Sequence, residues 1–353
     1  QCRIINNMDK KIKVSIVGGS GYTGIELLRL LSLHPNVDIH HITSRNDAGR
    51  FVYDVYPSLR GILSHKFVNP EEIHLEESNL VFFATPNGIA MKYAKDLISK
   101  GVRVIDLAAD FRIKDVQEWE KWYQMSHECP EFLEKAVYGL PELNRDQIKN
   151  AELVANPGCY PTAIQLALMP LLKEGLIDPL SIIADAKSGI SGAGKKSQSD
   201  LLLSEASENF KAYSLTGHRH QPEIEENLSK ESILGKIKLL FVPHLLPIVR
   251  GIHATIYVNC VQDFDPSIIF DKYYRTEPFV DVMEVNTCPE TKSVRASNMC
   301  RISFYKVPDT KQLVILSVID NLVKGAAGQA VQNMNIMMGW EEILGLESIP
   351  LIP

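Results

Sequence analysis

A chain of 353 residues, 45% hydrophobic and 23% charged, is long enough for two cores of ordinary size, which argues against a small regulatory module and for a two-domain enzyme. Its formal net charge of −6, with 37 Lys and Arg interspersed among 43 Asp and Glu, supplies no basic face for nucleic acid. No apolar run reaches the roughly 18–20 residues of a bilayer span, and QCRIINNMDKKIK lacks the apolar centre of a secretory signal, so no membrane partner and a cytoplasmic location are expected.

Met8, followed by Asp9, Lys10 and Lys11, reads as a natural start, which leaves the residues before it as an extension without an assigned role. KIKVSIVGG then predicts a strand through Ile12, Val14, Ile16 and Val17 that ends in glycines. TGIELLRLLSLHP predicts a helix stopped by Pro35, and VDIHHITS a second strand, which completes a βαβ unit. The sequence NLVFFATP, GIAMKYAKDLISKG, VRVIDLAAD repeats the alternation, and AELVAN adds a further strand. The sum predicts a Rossmann-type parallel sheet with helices on both faces. Beyond it, SIIADAKSG, KIKLLFVPHLLPI, GIHATIYVNCV, RISFYKV and QLVILSVID predict a second α/β domain with a largely antiparallel sheet. The expected division is 11–157 for the first domain, completed by a C-terminal helix within 322–353, and 158–321 for the second. In that last helix Ala330, Met334 and Met337 or Met338 share the face turned to the first domain.

Three stretches carry chemistry. In GGSGYTG, Gly19, Gly21 and Gly24 stand between a strand and a helix, where backbone N–H groups can approach a pyrophosphate. At the end of the second strand, where an NAD enzyme would hold the ribose with a carboxylate, Ser44 and Arg45 suit a 2′-phosphate, which favours NADP. The cysteines at 2, 129, 159, 260, 288 and 300 show no zinc-site spacing and read as reduced thiols. Only Cys159, in NPGCYPT, sits at a helix start, where the partial positive charge favours a nucleophilic thiolate; Pro161 fits the first turn and Pro170 is expected to kink the helix. In GHRHQPE, His218 and His220 offer two candidate acid/bases, with Arg219 and Glu223 as groups for a charged substrate. Lys187, Ser188, Ser191 and Lys195 in DAKSGISGAGKK can cradle an anion.

From residue 11 to the end, the run GGSGYTGIELLRLL, SRNDAG, FFATPNG, DLAADFR, YGLPELNR, NPGCYPTA, DAKSGISGAGK, GHRHQPEI, FVPHLLPIVRG and DNLVKGAAGQAVQNMN resembles the semialdehyde dehydrogenase superfamily, in its branch acting on N-acetyl-γ-glutamyl phosphate. The resemblance implies NADPH-dependent reduction of that acyl phosphate through a thioester on Cys159, with His218 or His220 as acid/base and substrate-anion contacts from Arg112 and Arg250. It also implies cofactor contacts from Ser20, Tyr22, Thr23, Thr85, Pro86, Ser191, Gly192 and Asn321, and a homodimer or homotetramer. No metal is expected, because phosphate is already a good leaving group. Reductases of aspartyl or aminoadipyl phosphate, and a non-catalytic NADP-binding sensor, are the alternatives.

Overall fold

The computed structural model describes residues 11–195 and 202–352; the leader with Cys2 and the Met8 start, residues 196–201 of the glycine-rich loop, and Pro353 lie outside the described residues. Strands β1 (Ile12–Val17), β2 (Val37–Thr43), β3 (Leu80–Phe83), β4 (Arg103–Asp106), β5 (Val137–Tyr138) and β6 (Leu153–Ala155) form one sheet in the order β2-β1-β3-β4-β6-β5. Every neighbouring pair is parallel. The near-continuous burial of Val14 to Val17 and of Leu80 to Phe83 follows from helices lying on both faces. On one face the helix Tyr22–Leu31 packs Leu27 and Leu28 against Ile42 and Phe67; on the other, Phe83 packs with Met91 and Trp119. Because β1 lies between β2 and β3, the chain reverses its direction of winding between β1 and β3, and the loops leaving these two strands face one crevice.

The second sheet contains β7 (Ile182–Gly189), β8 (Lys211–Ala212), β9 (Leu239–Leu246), β10 (Ile252–Asn259), β11 (Val280–Val282), β12 (Cys300–Lys306) and β13 (Gln312–Ile319), in the order β11-β12-β13-β10-β7-β9-β8. It is mixed rather than largely antiparallel, which corrects the sequence expectation: β7 with β9 and β11 with β12 are parallel pairs. Between β7 and β9 the chain passes through the helix His220–Glu231, the crossover that a parallel pair requires. Alternating burial reports only that one face is covered, and it is blind to the direction of the partner strand.

The covered face packs on the helix Cys159–Lys173, of which residues 160 to 172 are all buried. The helix continues through Pro170 without a break. The missing N–H of Pro170 frees the carbonyl of Leu166, and the Tyr274 hydroxyl donates to that oxygen instead. The C-terminal helix Gly328–Met338, preceded by a π-turn at Val323–Ala327, sends Ala330, Met334 and Met337 into the core with Leu27 and Leu28, while Met338 is only partly buried.

Candidate active site

The glycine loop after β1 is shaped by close backbone approach. A side chain on Gly18, whose φ is +90°, would meet Ala84 O at 2.4 Å, and one on Gly24 would meet Gly18 O at 2.3 Å. Gly19 N–H donates to Thr43 O at 2.8 Å, which ties the loop to the end of β2. Gly21 is the N-cap of the Tyr22–Leu31 helix and no side chain caps that helix start. Its first amides, those of Tyr22, Thr23 and Gly24, are thereby left for an anion.

Thr85, the residue after Ala84 in the loop that leaves β3, sits over Gly18 with a buried hydroxyl that has no protein partner; Pro86 follows it. Ser20 and Ser44 share a hydroxyl contact at 2.8 Å, and Asp47 N–H donates to Ser44 at 3.2 Å. Arg45 is exposed and held only loosely, 3.8 Å from Glu71. The second domain closes over this loop: Lys195 Nζ donates to Ser20 O at 3.3 Å and to the Tyr56 hydroxyl at 2.9 Å. Asn321 joins Ser191, to whose hydroxyl it donates at 2.9 Å, with Gly251, whose N–H it accepts at 2.7 Å; Gly192 packs on Ser188. An uncapped helix start, an orphaned Thr85 hydroxyl and a free guanidinium at the second strand fit a phosphorylated dinucleotide.

Cys159 opens the other strand-to-helix junction, after β6, as the first residue past the N-cap Gly158. This turn is clamped from remote sequence. Glu223, fully buried in the first turn of the His220–Glu231 helix, accepts from Gly158 N–H and from the Tyr138 hydroxyl, each at 2.8 Å. Arg112 lies 3.5 Å from the same carboxylate, and its other donors go to Asn156 O at 2.7 Å and Leu107 O at 2.8 Å. Arg112 and Glu223, expected to face substrate, are thus turned inward as an ion pair that fixes the turn. From behind, Gly325 of the π-turn abuts the sulfur-bearing residue, since a side chain there would meet Cys159 Cβ at 2.8 Å.

A side chain on Gly158 would lie 2.7 Å from His220 Nε2, so this imidazole stands directly against the Cys159 turn. His218 is set further back in an aromatic box of Tyr160, Tyr213 and Phe241, and its Nδ1 accepts the His220 N–H at 3.0 Å. Burial pushes His218 down to about 4, aided by Arg219, and drives His220 well below the usual range, aided by His218 and Arg112. Both rings are neutral at pH 7. Burial also pushes the Cys159 thiol up to about 11, against the lowering effects of the Tyr160 N–H and the Arg112 guanidinium. Burial therefore works against the helix start at this sulfur, and a base beside it would help the thiol to lose its proton.

Arg219 is exposed with its guanidinium over the Tyr123 ring at 5.5 Å, at the mouth of the same loop. Arg250 pairs with Glu26 at 2.9 Å and with Asp320 at 3.3 Å. Ser188 is buried, and Lys187, its neighbour on β7, pairs with Asp185 at 2.8 Å among the partly exposed residues of the sheet's other face. Tyr138, Asn156 and Asp320 were not anticipated as parts of the site. Asp320 accepts from Ala296, Leu322 and Val323 N–H and so starts the π-turn behind Cys159. Tyr138 and Asn156 are ordinary buried polar residues whose partners are distant in sequence, so no local pattern marks them, whereas Asp320 carries a local signal, an acidic residue whose carboxylate takes the N–H groups two and three residues on. The remaining described cysteines, Cys129, Cys260, Cys288 and Cys300, are free thiols.

Residues 13–151 match the family model described as semialdehyde dehydrogenase, NAD binding domain, and residues 159–321 the one described as semialdehyde dehydrogenase, dimerisation domain. The chain is 56% identical over 342 residues, 97% of its length and 100% of the relative's, to N-acetyl-gamma-glutamyl-phosphate reductase of Thiobacillus denitrificans. It is 57% identical over 343 residues, with the same coverage, to the protein of that name from Laribacter hongkongensis. Among solved structures, aspartate semialdehyde dehydrogenase II from Vibrio cholerae complexed with ASA superposes with a TM-score of 0.72 at 17% identity, covering 94% of this chain and 99% of that one. The Candida albicans aspartate semialdehyde dehydrogenase with NADP gives 0.69 at 16% identity, covering 93% and 99%.

Proposed function

The chain belongs to the semialdehyde dehydrogenase family, and from that premise we propose that it reduces N-acetyl-γ-glutamyl phosphate with NADPH, giving N-acetylglutamate 5-semialdehyde and phosphate for arginine synthesis, by way of a thioester on Cys159. Residues 11–157, completed by the helix within 322–353, hold the cofactor, and 158–321 carry the nucleophile and the substrate groups. The observation that carries this mechanism is the His220 imidazole set against the turn that presents Cys159.

His220 takes the thiol proton as sulfur attacks the acyl carbon. The carbon–oxygen bond to phosphate breaks, the electron pair leaves with phosphate, and the imidazolium returns a proton to that oxygen. Amides at the start of the Cys159–Lys173 helix hold the oxyanion. The glycine loop, Thr85, Ser44, Arg45, Ser191 and Asn321 hold NADPH, which when bound supplies the hydride that takes the thioester to the aldehyde level. Collapse then re-forms the carbonyl and breaks the carbon–sulfur bond, the pair returns to sulfur, and a proton from solvent, relayed by His220, restores the Cys159 thiol. Arg219 at the mouth, with Arg250, serves the substrate's charged groups, while Arg112 and Glu223 act by positioning and Lys187, on the opposite face of its sheet, is left out of the site.

The enzyme is cytoplasmic and works as a homodimer or homotetramer, a reading supported by the dimerisation-domain match and by the face of the second sheet opposite the Cys159–Lys173 helix, where Ile183, Leu240, Tyr257 and Tyr305 are exposed. The direct test is the reverse reaction with N-acetylglutamate semialdehyde, phosphate and NADP⁺. Phosphate-dependent NADPH formation, with kcat/KM at least about tenfold above that for aspartate semialdehyde, is expected; equal or better use of aspartate semialdehyde would reject the substrate assignment.

A further inference from the structure

The first sheet carries a second cluster of ligand-type side chains, at its outermost strand. Along β1 the pairing with β2 runs Val14 with Ile39 and then Ser15 with His41, so His40 is skipped. In a regular strand two consecutive residues point to opposite faces. The extra residue of this bulge instead turns His40 and His41 to the same side, with ring centroids 4.1 Å apart. Glu77, the last residue of the single turn Leu75–Glu77 that leads into β3, meets them there: His40 Nε2 stands 3.3 Å from Glu77 Oε2.

One ligand atom from each of the three residues falls within 4.8 Å of the others. A tetrahedral ion at roughly 2.1 Å from each donor needs them about 3.4 Å apart, which the His40–Glu77 contact already satisfies and which small rotations of the partly exposed His41 complete. Two imidazoles with one carboxylate is a borderline donor set that suits zinc and its neighbours, not the hard all-oxygen set of calcium or magnesium. We propose that His40, His41 and Glu77 bind one divalent ion of the zinc class, with solvent as fourth ligand, pinning the bulged edge of the sheet to the turn that feeds β3. The ion takes no part in the reaction at Cys159.

The test uses metal-free full-length protein in a background that removes Cys2 and the two described thiols that are not buried, Cys2→Ser with Cys159→Ser and Cys288→Ser, titrated with Zn²⁺ against a chromophoric chelator. One zinc per chain is expected, together with a rise in Tm on adding Zn²⁺. His41→Ala and, separately, the milder Glu77→Gln should each weaken binding at least about tenfold and abolish the rise in Tm. Absence of bound zinc in that background, or unchanged affinity in both variants, would overturn the site.

Discussion

The glycine loop after β1 and the Cys159 turn after β6 are the same local device, a strand that ends in glycine and enters a helix with no side-chain cap, and the protein finishes them in opposite ways. At the first, the helix amides are left unclaimed and Arg45, proposed to read the 2′-phosphate, is exposed and loosely paired. At the second, Gly158 N–H is taken by buried Glu223, the carboxylate is held by Tyr138 and Arg112, and Gly325 closes the back. A site that receives a ligand's charge needs free donors. A site that presents a nucleophile needs the turn itself immobilised, and buried polar groups with every partner satisfied supply that rigidity.

The contrast breaks most sharply at His220. His220→Asn should lower turnover by about 10²–10⁴-fold with NADPH affinity intact, whereas His218→Asn, in its aromatic box, should cost less than about tenfold. Steady-state kinetics with fluorescence titration of the cofactor checks both, and equal losses would remove His220 from the proton transfer. Next in size is the clamp. Glu223→Ala leaves Arg112 buried without its partner and Gly158 N–H without an acceptor, so urea unfolding should report a loss of about 3–5 kcal/mol. Arg45→Ala, by comparison, should leave stability within about 0.5 kcal/mol of wild type. Its effect should fall on NADPH instead: a charged hydrogen bond of about 1.5–3 kcal/mol corresponds to about 10- to 150-fold in Kd, with NADH nearly unaffected. The NADPH effect should shrink as salt is raised, and an equal loss for both cofactors would mean that Arg45 does not read the 2′-phosphate.

The two junctions also differ in how much of them the sequence discloses. The glycine loop is legible where its constraint is local: Gly24 is required by the backbone of Gly18 and Gly19, and spacing records it, whereas the close approach of Ala84 O to Gly18 comes from across the sheet. The position of Cys159 at a helix start is legible for the same reason. The clamp is not, because Glu223 reaches Gly158 across 65 positions and Arg112 across 111, separations that leave no periodic trace. The elevated thiol is likewise a product of tertiary burial, which local sequence does not encode. The parallel strand core could be read from apolar runs bounded by glycine, while the direction of the pairs in the second sheet depends on the crossover through His220–Glu231 and stays hidden in an alternating pattern.

The central claim is that Cys159 is the atom acylated by substrate. Incubating the protein with N-acetyl-γ-glutamyl phosphate without NADPH, quenching in acid and mapping peptides by mass spectrometry tests it in one step. The account predicts a single N-acetylglutamyl adduct on the peptide containing Cys159, discharged as aldehyde when NADPH is added before the quench and missing in Cys159→Ser. An adduct on any other residue, or one that persists in Cys159→Ser, would contradict it.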